Sequence, residues 1–108
     1  MKPVIVEEGS SPLILGMPHV GQHLPDDIKE RLNLLGQRVD DTDWWIDDLY
    51  KGLVTSPTVV KATFSRYVID ANRDPDPNSE SLYPGQNTTG VCSLTTFDNE
   101  PIYLDGCE

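Results

Sequence analysis

Residues 58–64, with the sequence TVVKATF, decide the fold class, because their β-branched and aromatic side chains predict a strand. A second apolar run, PLILGM at residues 12–17, has no helical period and predicts a buried strand. Between them, residues 26–35 and 44–53 carry apolar side chains at helical spacing. The order strand, helix, helix, strand is typical of an α/β fold.

The chain after residue 64 is harder to interpret. Residues 67–71, YVIDA, predict a further strand after a break at Ser65 and Arg66. From residue 74 onward there is no periodic segment, yet this part of the chain is rich in apolar residues: Leu82, Tyr83, Val91, Leu94, Phe97, Ile102, Tyr103 and Leu104. Such residues need a surface to pack on, so we expect residues 1–108 to be part of a larger domain.

Composition excludes several classes of protein. The 108 residues include 18 aspartates and glutamates against 8 lysines and arginines, a net charge of -10, which disfavours binding to nucleic acid. No apolar run approaches the roughly 18 residues of a membrane helix, and Met1 is not followed by a secretory signal. We therefore expect a cytoplasmic protein with no membrane partner, in which Cys92 and Cys107 are reduced thiols.

A histidine follows the first predicted strand, in the loop MPHVG at residues 17–21. Open α/β sheets bind ligands just beyond the carboxyl ends of their strands, and neutral imidazole is a good zinc ligand. His19 is therefore a candidate metal ligand, although a loop histidine that bonds its own backbone is the alternative. His23 lies four residues later, but Gly21 and Pro25 disfavour the continuous helix that a two-histidine helical motif requires.

Residues 40–48 carry five carboxylates, which repel one another unless a cation or the positive end of a helix offsets them. A solvated acidic helix start is the alternative interpretation. An EF-hand is excluded, because the sixth position counted from Asp41 is Ile46 instead of glycine. The later acidic stretch at residues 74–80 lacks the turn glycine and terminal glutamate of a calcium loop.

Two arginines, Arg66 and Arg73, bracket the strand predicted at residues 67–71, and Asn72 adjoins the second. Guanidinium forks and an amide are well suited to grip a carboxylate. Salt bridges from the arginines to Asp70 or Asp74 are the alternative.

Four stretches, taken in order, resemble the N-formylglutamate amidohydrolase family. They are MPHVG (17–21), DDTDWWIDDLY (40–50), SRYVIDANRDP (65–75) and SLYPGQNTTGVCSLTTFDNEPIY (81–103). The family hydrolyses N-formyl-L-glutamate to formate and L-glutamate in histidine degradation. Its members are much longer than this chain, so the resemblance implies that residues 1–108 are the amino-terminal part of a single amidohydrolase domain.

The family is similar in turn to zinc carboxypeptidases and succinylglutamate desuccinylases. This implies a three-layer α/β/α fold with a mixed sheet, of the phosphorylase/hydrolase-like kind and incomplete here. It also implies a divalent metal, zinc, and a small-molecule substrate, N-formyl-L-glutamate. The resemblance implies a catalytic role for Arg66 and substrate binding by Asn72 and Arg73. The hydrolysis that the resemblance implies leaves open which arginine stabilises the oxyanion and which holds the substrate carboxylate.

The metal ligands depart from the relatives' pattern. Those enzymes bind zinc through His-x-x-Glu, whereas His19 is followed three residues later by Gln22. We expect Asp43 to be the second ligand, with Asp47 the next choice, and the third ligand and general base to lie beyond Glu108. Two other classes of protein stay open. One is a different zinc-dependent amidase or carboxypeptidase-like enzyme, and the other is a truncated, non-catalytic acidic binding module.

Overall fold

The computed structural model describes residues 1–76 and 89–108. Within these ranges the chain forms three strands and three four-residue helices. In chain order they are β1 (Val4–Glu7), β2 (Ile14–Met17), α1 (Asp26–Lys29), α2 (Leu34–Gln37), α3 (Ile46–Leu49) and β3 (Thr58–Ala62).

The strands form one mixed sheet in the order β1-β3-β2. The central strand β3 runs antiparallel to β1, with Val4 opposite Ala62, and parallel to β2, with Ile14 opposite Thr58. The expected α/β class, the mixed sheet and the presence of the two strands are therefore confirmed, whereas β1 was not expected. The burial expected for residues 12–17 is wrong, because Leu13 is 50% and Ile14 69% exposed. Because β2 and β3 are parallel, the segments that follow them leave the sheet at the same edge.

The single helix expected at residues 26–35 is wrong, since the chain leaves helical geometry between α1 and α2. Leu32 instead forms an isolated antiparallel bridge with Tyr103, and the N–H of Asn33 donates to the Ile102 carbonyl at 2.9 Å. Gly36 lies inside α2, where a Cβ would overlap the carbonyl of Ile102. Residues 102–104 thus form backbone hydrogen bonds with residues 31–33, in the place where a continuous helix would have bonded to itself.

The second helix is also shorter than the expected residues 44–53. Trp45, immediately before α3, has a left-handed backbone with φ of 64° and so stands outside the helix. The expected apolar side faces solvent in the described part of the chain, with Trp45 74%, Leu49 66% and Leu53 67% exposed.

The strand expected at residues 67–71 is wrong as well. The Ser65 carbonyl accepts the N–H of Val68 at 2.9 Å, and the Ser65 hydroxyl accepts the N–H of Tyr67 at 3.1 Å, so the chain turns there. The turn places the Tyr67 ring, 2% exposed, in the core. β-Branched composition reports burial as much as backbone preference, which explains the error.

The core is small and is built from distant segments. Its buried apolar residues are Leu32, Val39, Tyr67 and Ile102, with Leu24, Ile28 and Tyr103 packed against them. Of the late apolar residues, Leu94, Phe97 and Leu104 are 43–55% exposed, while Leu82 and Tyr83 lie outside the described residues.

Cys92 and Cys107 carry free thiols. None of the helices in residues 1–76 and 89–108 has the length and apolar character needed to span a bilayer. The assignment of residues 1–108 to one larger amidohydrolase domain stays a prediction.

Candidate active site

The loop after β2 and the turn after β3 lie side by side. The N–H of His23 donates to the Thr63 carbonyl at 3.0 Å, and the N–H of Ser65 donates to the His23 carbonyl at 2.9 Å. Gly21 lies where these segments approach most closely, because a Cβ there would overlap the backbone of Thr63 and Phe64. This backbone contact brings the residues that follow the two parallel strands together.

Asp70 lies at the centre of the resulting cluster, and its side chain is fully buried. Its Oδ1 is 2.7 Å from Nε2 of His19, and its Oδ2 is 2.9 Å from Nη2 of Arg66 and 3.7 Å from Nη1 of Arg73. The backbone N–H of Asn72 also donates to Oδ1, at 2.9 Å. One buried carboxylate therefore collects a histidine and two arginines from the predicted site.

Asp70 stays ionised in this setting. Burial alone raises the pKa of its carboxyl, but the hydrogen bonds from His19 and the Asn72 N–H, with the charges of His19 and Arg66, outweigh burial and hold the pKa below its usual value. A buried carboxylate that remains charged fixes the orientation of the donors around it.

From the sequence we expect Asp70 only as a salt-bridge partner of the arginines, with no functional role of its own. Its position four residues after one arginine and three before the other was the available signal. The alternative interpretation, in which the arginines form salt bridges with Asp70, is thus confirmed in part. Arg66 forms a close ion pair with Asp70, and Arg73 forms a more distant one.

His19 and Asp43, the expected metal ligands, are neighbours. His19 is 7% exposed, and its Nδ1 lies 3.8 Å from Oδ2 of Asp43, whose side chain is 48% exposed. The N–H of Asp43 donates to the His19 carbonyl at 2.9 Å, which fixes the two backbones against each other. The cluster therefore opens to solvent on the side of Asp43.

The imidazole nitrogen of His19 and the carboxylate of Asp43 are ligand types that suit part of a zinc site. If Nε2 of His19 donates its proton to Asp70, Nδ1 faces the Asp43 carboxylate with a lone pair, and a shared cation stabilises that arrangement. Two ligands about 2.0–2.1 Å from a tetrahedral zinc lie about 3.3 Å apart, close to the observed 3.8 Å. Within the described ranges no group of three His, Cys, Asp or Glu side chains could hold a metal ion, so this pair could supply at most two ligands.

Asp47, the other candidate ligand, pairs differently. Its Oδ2 is 3.8 Å from Nζ of Lys61, which lies 3.3 Å from Oε1 of Glu7. An ammonium group beside Asp47 disfavours a second cation there.

Arg66 is held on several sides and is only 5% exposed. Besides its bond to Asp70, Nη1 donates to the Asp41 carbonyl at 3.3 Å. Its guanidinium carbon lies 4.4 Å from the centroid of the Phe97 ring, a cation–π contact. The positive charge of Arg66 is therefore fixed in position within the cluster.

Asn72 and Arg73 lie nearer to solvent. Asn72 is exposed, and the Arg73 side chain is 24% exposed. Nε of Arg73 donates to the Thr89 carbonyl at 2.9 Å, and Nη1 donates to the Asn72 carbonyl at 2.8 Å. These bonds hold the arginine at the rim of the cluster.

Comparison with known proteins relates the sequence of this chain to a family of hydrolases. A family model described as N-formylglutamate amidohydrolase matches residues 11–108, which include every candidate site residue. The chain belongs to the N-formylglutamate amidohydrolase family.

Two curated relatives carry the name N-formylglutamate deformylase. The one from Pseudomonas putida is 39% identical over 100 residues, covering 92% of this chain and 36% of the relative. The one from Pseudomonas aeruginosa is 36% identical over 101 residues, covering 93% of this chain and 37% of the relative. The chain thus spans little more than a third of the length of these relatives. No solved structure matches it.

Proposed function

We propose that the protein hydrolyses N-formyl-L-glutamate to formate and L-glutamate, as a step of histidine degradation, and uses a divalent metal, zinc, to do so. The observation that carries this proposal is the buried Asp70, which gathers His19, Arg66 and Arg73 at the carboxyl ends of β2 and β3. Family membership over residues 11–108 and the names of the two relatives support the same substrate.

In this proposal Nδ1 of His19 and the carboxylate of Asp43 are two ligands of the metal. When bound, the zinc ion lowers the pKa of a water molecule to about 7 and polarises the formyl oxygen. The Asp70 carboxylate accepts a hydrogen bond from Nε2–H of His19 and so keeps the Nδ1 lone pair free for the metal. The geometry favours Asp43 over Asp47, because Asp47 lies beside the Lys61 ammonium.

The arginines divide the negative charges of the substrate between them. Arg66, fixed by Asp70 and Phe97, supplies positive charge to the oxygen that becomes negative when the amide is attacked. Arg73 and the exposed Asn72, at the rim of the cluster, hold a carboxylate of the glutamate moiety. We assign the general base and the third metal ligand to no described residue.

The finer fold also belongs to this proposal. We propose the three-layer α/β/α architecture of zinc carboxypeptidase-like enzymes, supported by the mixed sheet and by the position of the cluster beyond two parallel strands.

The first experiment measures formate release by the natural gene product that contains this sequence. We expect release from N-formyl-L-glutamate, loss of activity after chelation and recovery with zinc. N-formyl-L-alanine, which lacks the side-chain carboxylate, should react far more slowly, because it lacks one of the two carboxylates available to Asn72 and Arg73. No formate release from the zinc-loaded protein would contradict the proposal, and faster cleavage of N-succinyl-L-glutamate would favour a desuccinylase.

The second experiment measures bound zinc in two histidine variants. His19→Ala should lose most of the metal, because it removes a ligand. His23→Ala is the matched control, since the His23 ring packs 5.1 Å from the Phe64 ring and is not placed at the metal. Equal zinc content in His19→Ala and the unaltered protein would exclude His19 as a ligand.

A further inference from the structure

Asp41 joins three segments that surround Arg66. Its carboxylate Oδ2 accepts the Tyr67 hydroxyl at 2.8 Å and the backbone N–H of Phe97 at 3.1 Å. Its own backbone carbonyl accepts Nη1 of Arg66 at 3.3 Å. The proposed function uses none of these bonds, and the sequence marked Asp41 only as one member of an acidic run.

The bond from Phe97 matters because that residue lies in a stretch without helix or strand. Nearby hydrogen bonds link Thr96 with Glu100 and Asn99, so the bond to Asp41 ties this turn to the residue 40–43 loop. The Phe97 ring is the face on which the Arg66 guanidinium rests, at 4.4 Å. Ring and guanidinium attract each other only while the ring stays under the cation.

The other acceptor role of Asp41 anchors the arrangement in the core. Tyr67 is 2% exposed and directly follows Arg66 in the chain, so the hydroxyl bond fixes the Asp41 carboxylate relative to the turn that carries Arg66. Asp41 therefore contacts Arg66 through its carbonyl, and through its carboxylate it contacts the backbone of the residue whose ring packs on the guanidinium.

We propose that Asp41 is a positioning residue that fixes the Phe97 ring beneath Arg66 and so holds the guanidinium against Asp70 in the orientation that hydrolysis requires. The inference rests on the proposed function, because that function gives Arg66 its role in the reaction.

The kinetic test compares Asp41→Ala with Asp41→Asn in the natural gene product, with N-formyl-L-glutamate as substrate. Alanine removes the acceptor of both bonds, whereas asparagine keeps one oxygen in its place. We expect Asp41→Ala to lower kcat roughly tenfold, at the lower end of the loss caused by removing an orienting partner. KM should stay near its original value, because Asn72 and Arg73 are untouched, and Asp41→Asn should recover most of kcat.

The same substitution is then made in an Arg66→Lys background. Lysine has no planar guanidinium for the ring to orient, so Asp41→Ala should lower kcat little further. If Asp41 served only to keep the protein folded, the substitution would lower kcat by the same factor in both backgrounds, and that result would overturn the proposal.

A spectroscopic measurement separates this proposal from the proposed function. The NMR signal of the Arg66 Nε–H, identified by its loss in Arg66→Lys, is shifted by the Phe97 ring. It should move toward the position of a solvated arginine in Asp41→Ala and in Phe97→Leu, and remain in Asp41→Asn. Should Asp41→Ala fail to fold, Tyr67→Phe retains the test, because it removes the hydroxyl bond that fixes the Asp41 carboxylate and leaves the Phe97 ring in the protein, so the signal should move in the same direction.

If the unaltered protein releases no formate, the proposed function fails, but the NMR signal still decides whether Asp41 places Arg66. A signal that Asp41→Ala leaves in place overturns the inference, whatever the activity.

Discussion

The buried Asp70 carboxylate and the arginines beside it stabilise each other's charge. Arg66 is 5% exposed and pairs with Asp70, whose side chain is fully buried, so removing the negative charge leaves an unpaired buried cation. Asp70→Asn keeps the shape of the side chain and should lower the free energy of unfolding by about 3–5 kcal/mol, the usual effect of breaking a buried ion pair. Urea denaturation of the metal-free protein measures this change.

Asp40→Asn is the matched control for that measurement. Asp40 pairs with Arg38 at 3.2 Å, but both side chains are largely exposed, at 41% and 67%. Exposed pairs contribute less than about 1 kcal/mol, so this variant should unfold near the same urea concentration as the unaltered protein. Equal losses in the two variants would mean that Asp70 is not a buried ion pair in solution.

Tyr67 gives the protein a dependence on alkaline pH. Burial raises the pKa of its phenol above the usual 10.0, and the hydrogen bond to Asp41 and the charge of that carboxylate raise it further. A group whose pKa is raised on folding contributes stability that is complete below its unfolded pKa and is lost as the pH rises toward the folded one. The stability advantage of the unaltered protein over Tyr67→Phe should therefore shrink above pH 10.

Unfolding curves of both proteins across that pH range test the expectation. An advantage that stays constant with pH would show that the Tyr67 phenol titrates normally and that its bond to Asp41 is absent in solution.

Individual site residues differed in how far sequence could identify them. The sequence could indicate His19 as a candidate, because a histidine directly beyond a strand lies where such sheets bind ligands. Asp41 and Asp70 were not, because their roles come from burial and from partners such as Phe97, far away in the chain. Local spacing indicates which residues can act, but the fold decides which carboxylate meets which cation.

Among the elements, the short helices depend on tertiary contacts. Four-residue helices gain little from their own hydrogen bonds. The side chain of Asn33 accepts the N–H of Gly36 at 2.9 Å and donates to the Pro101 carbonyl at 2.8 Å, so α2 is held by the carboxyl-terminal segment. The helical spacing of apolar residues in 26–35 places Ile28 and Leu32 on one face, and both pack in the core, yet the spacing could not reveal that Leu32 pairs with Tyr103.

Gly36 provides the test of that docking. A methyl group there would meet the Ile102 carbonyl, so Gly36→Ala should lower the free energy of unfolding by about 1–3 kcal/mol despite alanine's higher helix propensity. Gly16→Ala in β2 is the control, because nothing lies within 4 Å of its Cβ position, and it should be neutral or stabilising by up to about 1 kcal/mol. A stabilised Gly36→Ala protein would show that α2 does not contact Ile102.

At the scale of the whole molecule, charge and apolar exposure oppose each other. The radius of gyration is 15.4 Å, against about 13 Å for a compact chain of this size. Trp45, Leu49 and Leu53 are at least 66% exposed, while the net charge of -10 makes copies repel. We expect the 108-residue chain to be monomeric at low salt and to associate at about 1 M salt, where the screening length falls to about 3 Å.

Light scattering across a salt series measures this association. The double variant Leu49→Gln, Leu53→Gln should associate less while its unfolding midpoint stays unchanged, because both side chains are exposed. Association that persists in the double variant would assign it to another surface.

The dispersed origin of the core also determines when the molecule can fold. Leu32, Val39, Tyr67 and Ile102 belong to separate parts of the chain, and the strand pairs join Val4 to Ala62 and Ile14 to Thr58. Contacts between residues distant in sequence require large loops to close first, which slows folding. During synthesis on the ribosome, the core therefore stays open until Ile102 has emerged, although every residue of the sheet has been made some forty residues earlier.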